Sequence, residues 1–205
     1  ARTIRLYERA GVAAIQLEDQ AFPKKCGHFE DKVVVSVEEM VQRIQAARDA
    51  RSDDEGILII ARTDARASLG LNAAIDRAKI YAEAGADLLF VEAPHSEDEL
   101  AQIGSELSGH RLMANMVEFG KTPLLSADRL AELGYCLIIH PGAITRAVVE
   151  LTRAVLGDLR TTGSTKGWLD RMATFADVNA LLGLPEANEW EVEISRRAAE
   201  VGDSE

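Results

Sequence analysis

Residues 57–64 read Ile57-Leu58-Ile59-Ile60-Ala61-Arg62-Thr63-Asp64. The apolar run has no polar alternation, so a strand made from it must be buried on both faces, as in a parallel sheet covered by helices. It then ends abruptly in a cation, a hydroxyl and a carboxylate. Leu88-Leu89-Phe90-Val91 has the same character and ends in Glu92. Working outward, apolar runs at 12–17, 57–61, 86–91, 111–116 and 136–140 predict strands, and amphipathic stretches at 37–50, 72–84, 97–107 and 126–134 predict the helices between them. Ser36, Asn72 and Ser96 stand where N-cap acceptors are wanted, and Gly85 and Gly134 where helices end.

The resulting order βαβαβαβαβ is followed by predicted helices near 143–158, 166–173 and 174–183 and by a polar tail after 195. No linker or low-complexity stretch interrupts it, which predicts one domain over 1–205 with a helical C-terminal segment, 143–205. Successive βα units build either an open α/β sheet or a barrel. The strand ends favour the barrel: Glu18-Asp19-Gln20, Arg62-Thr63-Asp64, Glu92, and Asn115 with Glu118 follow successive strands. Polar groups converging from strand ends are what the active face of a (β/α)8 TIM-type barrel requires. Closure takes eight strands, so the chain is expected to represent about the last five βα units, with about three more upstream of Ala1, which itself reads as part of a helix.

Hydrophobic residues make up 47% and charged residues 28% of the 205, enough for one sizeable core. A net charge of -11 excludes a general attraction to nucleic acid or to anionic membranes, so an anionic substrate needs a local positive site. No apolar stretch reaches the ~20 residues that span a bilayer. Two cysteines, Cys26 and Cys136, are too few for a disulfide framework, which predicts a reducing, cytoplasmic setting; Cys136 lies in an apolar run and is expected to be buried.

Chemistry concentrates in Gln16-Leu17-Glu18-Asp19-Gln20 and Pro23-Lys24-Lys25-Cys26-Gly27-His28, where carboxylates, ammonium groups, a thiol and an imidazole crowd together. Neighbouring cations favour a thiolate, so Cys26 reads as an acid/base or nucleophile. The same residues read equally well as a solvated charged loop with an incidental cysteine.

Glu18-Asp19-Gln20 and Lys24-Lys25-Cys26-Gly27-His28, followed in order by Ala61-Arg62-Thr63-Asp64-Ala65, Phe90-Val91-Glu92-Ala93 and Ala114-Asn115-Met116-Val117-Glu118-Phe119-Gly120, resemble the isocitrate lyase and phosphoenolpyruvate mutase superfamily. The resemblance spans most of residues 2–183 and includes the methylisocitrate lyase, dimethylmalate lyase and oxaloacetate decarboxylase-like branches. It implies a Mg²⁺-dependent carbon–carbon lyase, with Mn²⁺ an alternative ion, acting on a small 2-hydroxy di- or tricarboxylate of 2-methylisocitrate, isocitrate or dimethylmalate type through an enolate or aci-carboxylate. It implies further that Glu18 is a metal ligand, largely through water, and that Cys26 is the acid protonating the departing fragment. Lys24 is then a base or a depressor of the thiol pKa, and His28 either joins it or orders the loop with Lys25. Arg62 clamps a substrate carboxylate and Glu92 and Asn115 line the site. An Arg62–Asp64 ion pair at the strand end competes with the clamp. Asp19, Asp64 and Glu118 are expected to orient these groups.

The implied partners are a small anionic 2-oxo or 2-hydroxy acid and further copies of the chain in a dimer or tetramer, with segment 143–205 exchanged between subunits and Trp168, Phe175 and Trp190 supplying contacts. The superfamily's Asp-x-Asp pair and Tyr-x-Ser-Gly loop have no counterpart in these residues, and Phe29-Glu30-Asp31-Lys32 departs from its usual basic continuation. Rival readings are an oxaloacetate decarboxylase or a phosphonomutase on the same scaffold, the latter disfavoured by Cys26, and a non-catalytic assembly module.

Overall fold

The computed structural model describes residues 1–25, 32–52 and 56–202. After helix α1 (Arg2–Arg9) the chain alternates strand and helix: β1 (Ala14–Glu18), α2 (Val37–Arg48), β2 (Leu58–Thr63), α3 (Ala65–Leu69), α4 (Leu71–Glu83), β3 (Leu88–Val91), α5 (Glu97–Glu106), β4 (Arg111–Asn115), α6 (Ala127–Glu132) and β5 (Tyr135–Ile139). The strands form a five-stranded sheet, parallel throughout, in the order β1-β2-β3-β4-β5. Sequential order without reversal is how a (β/α) barrel wall is laid down, whereas a doubly wound sheet reverses at a switch point.

Strand alternation separates two apolar layers. Ile57, Ile59, Ala61, Leu89, Val91, Leu112 and Ala114 pack with Met40 and Ile44 of α2, Ile75 and Tyr81 of α4, and Leu100 and Ile103 of α5. Each Ile, Leu, Val or Met side chain among them contributes ~1.5–3 kcal/mol on burial. The alternate residues Ile60, Leu88, Phe90 and Met113 form a second, smaller cluster on the other face. This is why residues 57–61 show no polar alternation: both faces are covered. The same pleat carries Glu18 and Arg62 onto the face of the smaller cluster, one step beyond it.

Ser36 and Ser96 cap α2 and α5 by accepting from the Glu39 and Glu99 backbone N–H groups, as the sequence predicts. Asn72 does not cap α4. The helix begins at Leu71 after Gly70, and the Asn72 Oδ1 accepts from Gln102 Nε2 at 3.1 Å. Gly85 and Gly134 follow α4 and α6 at φ 106° and 93°, the left-handed turns foreseen there. Gly104 has a different reason: a Cβ would lie 1.9 Å from the Leu133 carbonyl oxygen, so only glycine lets α5 approach the end of α6 so closely. Cys136 is exposed, contrary to expectation, because β5 is an outer strand of the described sheet.

Residues Ala1–Thr145 and Arg146–Glu205 are separate compact units. The second holds most of α7 (Ala143–Thr162), a 3-10 turn at Lys166–Arg171, α8 (Phe175–Leu181) and α9 (Leu184–Gly202). Trp168 is buried in it, its Nε1–H donating to Asp158 Oδ2 at 2.7 Å and the Arg171 guanidinium lying 4.5 Å from its ring. Phe175 and Trp190 are exposed. A reciprocal Thr174–Asp177 capping box starts α8. The polar tail expected after 195 is instead the continuation of α9, supported by Glu193 pairing with Arg196 at 3.0 Å and Arg197 at 2.7 Å. Among the described residues no helix is long and apolar enough to cross a membrane.

Candidate active site

Parallel register sets Glu18 beside Arg62 and Arg62 beside Phe90. From there a row of polar contacts crosses the strand ends. Glu18 Oε2 lies 3.8 Å from Arg62 Nε, Arg62 Nη2 lies 3.6 Å from Glu92 Oε2, and Asn115 Nδ2 donates to Glu92 Oε1 at 3.4 Å. The Arg62 guanidinium also lies 5.4 Å from the Phe90 ring centroid, a cation–π distance. Lys24 joins the row from the loop after β1, its Nζ 3.0 Å from Glu18 Oε1. Glu18, Arg62, Glu92, Asn115 and Lys24 are thus brought together. Cys26 and His28 lie outside the described residues.

The loop carrying them is fixed at its described ends. Ala21 N–H donates to Val33 O and Val35 N–H to Asp19 O, each at 2.8 Å, around a Gln20–Val34 bridge. The Gln20 side chain also holds the Lys25 backbone, donating to its carbonyl at 2.9 Å and accepting from its N–H at 2.8 Å. On the opposite side Ala93, buried directly after Glu92, is left-handed at φ 57°. A non-glycine residue there costs about 1–2 kcal/mol, a strain held at the point where the chain turns away from the site.

Arg62 makes the ion pair that the sequence offered as the alternative to clamping. Its Nε and Nη2 donate to Asp64 Oδ2 and Oδ1 at 2.8 and 3.0 Å. The two roles are compatible, since a guanidinium has five N–H donors and one bidentate contact uses two. Asp64 occupies the N-cap position of α3 yet makes no side-chain cap bond; its carboxylate is committed to Arg62 and to Lys32, whose Nζ donates to Oδ1 at 2.8 Å with both side chains 0% exposed. Burial disfavours the Asp64 charge, but the bonds from Arg62 and Lys32 outweigh it and hold the carboxyl below its ordinary 3.8. Burial likewise disfavours the Arg62 cation, and Asp64, Glu92 and Glu18 more than offset it, raising its pKa.

Beneath the row, fully buried Asp19 accepts from Thr63 Oγ1 (2.7 Å), Asp64 N–H (2.9 Å), Arg77 Nη1 (3.1 Å) and Tyr81 Oη (2.9 Å). Burial, with the Asp19 charge beside it, pushes the Tyr81 hydroxyl well above its ordinary range, so it remains a donor. Sequence reading missed Lys32, Arg77 and Tyr81. The signal for the last two was their i, i+4 spacing on α4; for Lys32 it was a lone lysine directly before Val33-Val34-Val35.

Magnesium takes oxygen ligands and retains several waters. Among the described residues no group of three or more Asp, Glu, His or Cys is gathered to hold a metal ion. The Asp19 and Asp64 side chains are fully buried with both oxygens bonded, whereas Glu18 is partly open to solvent and both of its oxygens face the exposed Lys24 ammonium, so Glu18 is the more accessible of these carboxylates for contributing one ligand. These residues do not complete a metal site.

The family model described as phosphoenolpyruvate phosphomutase matches residues 1–160. A 2,3-dimethylmalate lyase of Eubacterium barkeri is 47% identical over 194 residues, covering 93% of this chain and 65% of that protein. A 2-methylisocitrate lyase of Aeropyrum pernix is 43% identical over 200 residues, covering 98% and 64%. The solved structure of oxaloacetate acetylhydrolase with the inhibitor 3,3-difluorooxalacetate superposes with a TM-score of 0.86 at 33% identity, covering 95% of this chain and 65% of that one. A phosphonopyruvate hydrolase complex with oxalate and Mg²⁺ does so with a TM-score of 0.76 at 28% identity, covering 93% and 66%. The chain therefore spans just under two thirds of these proteins, in a TIM-barrel-like scaffold they share. The ordered motifs, the sequential parallel sheet and these matches make one statement: the chain belongs to the phosphoenolpyruvate mutase/isocitrate lyase superfamily.

Proposed function

We propose that the chain carries the substrate-clamping and proton-donating part of a magnesium-dependent lyase that cleaves a C–C bond in a small 2-hydroxy di- or tricarboxylate of dimethylmalate or 2-methylisocitrate type. The observation that supports this most is the row Lys24–Glu18–Arg62–Glu92–Asn115 at the ends of adjacent parallel strands. Arg62, fixed by Asp64 along one edge, offers its remaining N–H donors to the carboxylate of the 2-oxo-acid half. Asn115 and Glu92 orient that half. The substrate hydroxyl gives its proton to a solvent water, its C–O bond becomes a carbonyl, and the electron pair of the breaking C–C bond passes to the other fragment, which takes a proton from the Cys26 thiol; the thiolate regains a proton from solvent before the next turnover. Lys24, engaged as the ammonium partner of Glu18, suits stabilising the resulting thiolate rather than accepting a proton. Mg²⁺ or Mn²⁺, with Glu18 as one ligand, supplies Lewis-acid stabilisation of the developing oxyanion when bound.

The test is a panel of 2,3-dimethylmalate, 2-methylisocitrate, isocitrate and oxaloacetate, assayed with Mg²⁺ on the intact protein and on Cys26→Ser. Cleavage of one hydroxy acid is expected, with kcat lowered at least ~100-fold in the variant and oxalate affinity unchanged. Undiminished turnover would remove Cys26 from the acid role. Consumption of oxaloacetate alone would replace the lyase by a decarboxylase or hydrolase. The proposed assembly is a dimer or tetramer in which segment 143–205 is exchanged between copies, an arrangement that would cover exposed Phe175, Leu181, Leu182 and Trp190. Sedimentation velocity should show no monomer at micromolar concentration, and a monomeric boundary would refute it.

A further inference from the structure

Lys32 is a fully buried lysine outside the set of residues just given chemical roles. Its Nζ donates to Asp64 Oδ1 at 2.8 Å, and that oxygen also accepts from Arg62 Nη2 at 3.0 Å. The other Asp64 oxygen accepts from Arg62 Nε at 2.8 Å, and the Asp64 backbone N–H is tied to Asp19 at 2.9 Å. Asp64 is therefore a rigid bridge between two cations. The charged side chains of the row and of its bridge to Lys32 balance, with Glu18, Asp64 and Glu92 against Lys24, Lys32 and Arg62.

An arginine bonded bidentately to a buried carboxylate has much of its charge neutralised toward an incoming anion. A second cation on the same carboxylate changes this: Lys32, Asp64 and Arg62 together retain one positive charge, and Arg62 lies at the end of the trio nearer Glu18 and Glu92. Removing a cation from this region makes the row net negative at low local dielectric, where such a change is felt strongly. We propose that Lys32 is a positioning residue for Arg62, acting through Asp64 by taking up that carboxylate's charge and fixing its orientation, so that Arg62 stays available to a carboxylate ligand. This inference rests on Arg62 being the substrate clamp.

The probe is oxalate, titrated calorimetrically with Mg²⁺ into the intact protein, its Lys32→Met, Lys32→Arg and Asp64→Asn variants and the double variant. Lys32→Met is expected to weaken oxalate binding tenfold or more and to raise KM for the cleaved substrate more than it lowers kcat. Lys32→Arg, which keeps the charge, should recover most of the loss. In the Asp64→Asn background the same lysine replacement should change oxalate affinity threefold or less, because the route through Asp64 is gone. If Lys32→Met alone fails to fold, the Asp64→Asn pair still tests the route, since a loss well above threefold there would overturn it, and the double variant leaves no buried charge unpaired at this pair.

An equal loss in both backgrounds would overturn the route through Asp64. Wild-type affinity in a Lys32→Met protein whose melting temperature has fallen would make Lys32 a purely structural ion and leave the proposed function standing. Failure of the unsubstituted protein to bind oxalate would overturn both.

Discussion

Arg62→Met is expected to lower kcat/KM for the cleaved 2-hydroxy acid about 10³-fold, equivalent to about 4 kcal/mol of transition-state stabilisation. The figure is large because Arg62 is only partly exposed, with 12% of its side chain accessible, and lies 3.6 Å from Glu92 and 3.8 Å from Glu18. Without its cation a substrate carboxylate would face two uncompensated acidic groups. The loss should fall mainly on KM, because the clamped carboxylate keeps its charge from ground state to transition state and the clamp therefore acts on both alike. Arg62→Lys should lie between, retaining charge but unable to span Asp64 and a ligand at once. Stability should change less than activity, since Lys32 still neutralises Asp64 at 2.8 Å. Steady-state kinetics beside thermal melts checks both halves. A variant within threefold of wild type would reduce the Arg62–Asp64 contact to the strand-end ion pair alone.

Much of this site was legible in the sequence because parallel strands declare themselves twice. Their apolar runs fix where they lie, and the abrupt change to Glu18, Arg62, Glu92 and Asn115 fixes where they end. Four of the residues named in advance stand in one row in the structure, joined by Lys24 from the loop. What the sequence hid is long-range pairing. Lysine is rarely buried, so nothing local to Lys32 announces that its partner lies 32 residues away on another element. Asn72 was misread as a cap because its side chain suits one, while the chain reversal is made by Gly70 at φ 90°. Cys136 was misread as buried because apolar neighbours do not reveal which strand is outermost.

Asp19→Ala should cost about 3–5 kcal/mol of stability, a large share of the ~5–15 kcal/mol that holds a domain folded. Four donors converge on this carboxylate, from Thr63, Asp64, Arg77 and Tyr81, and the side chain is 0% exposed. Alanine leaves four donors, one of them a guanidinium, without the two carboxylate oxygens that receive them. The requirement is for an acceptor-only group, so Asp19→Asn should also destabilise, by about 2 kcal/mol, because its amide must turn a donor toward either the Asp64 N–H or the cluster on the other oxygen. The order Ala worse than Asn worse than wild type separates lost hydrogen bonds from lost volume. Urea unfolding should show it as falling midpoints at constant slope. An alanine variant within 1 kcal/mol of wild type would mean that the donors find other partners, and Asp19 would not then be the tie between the ends of β1 and β2 and helix α4. The consequence for function follows from the same bonds. Asp19 holds the Asp64 backbone, Asp64 holds Arg62, and the folded fraction of either variant should therefore bind oxalate more weakly than wild type in proportion to how far that chain of contacts relaxes.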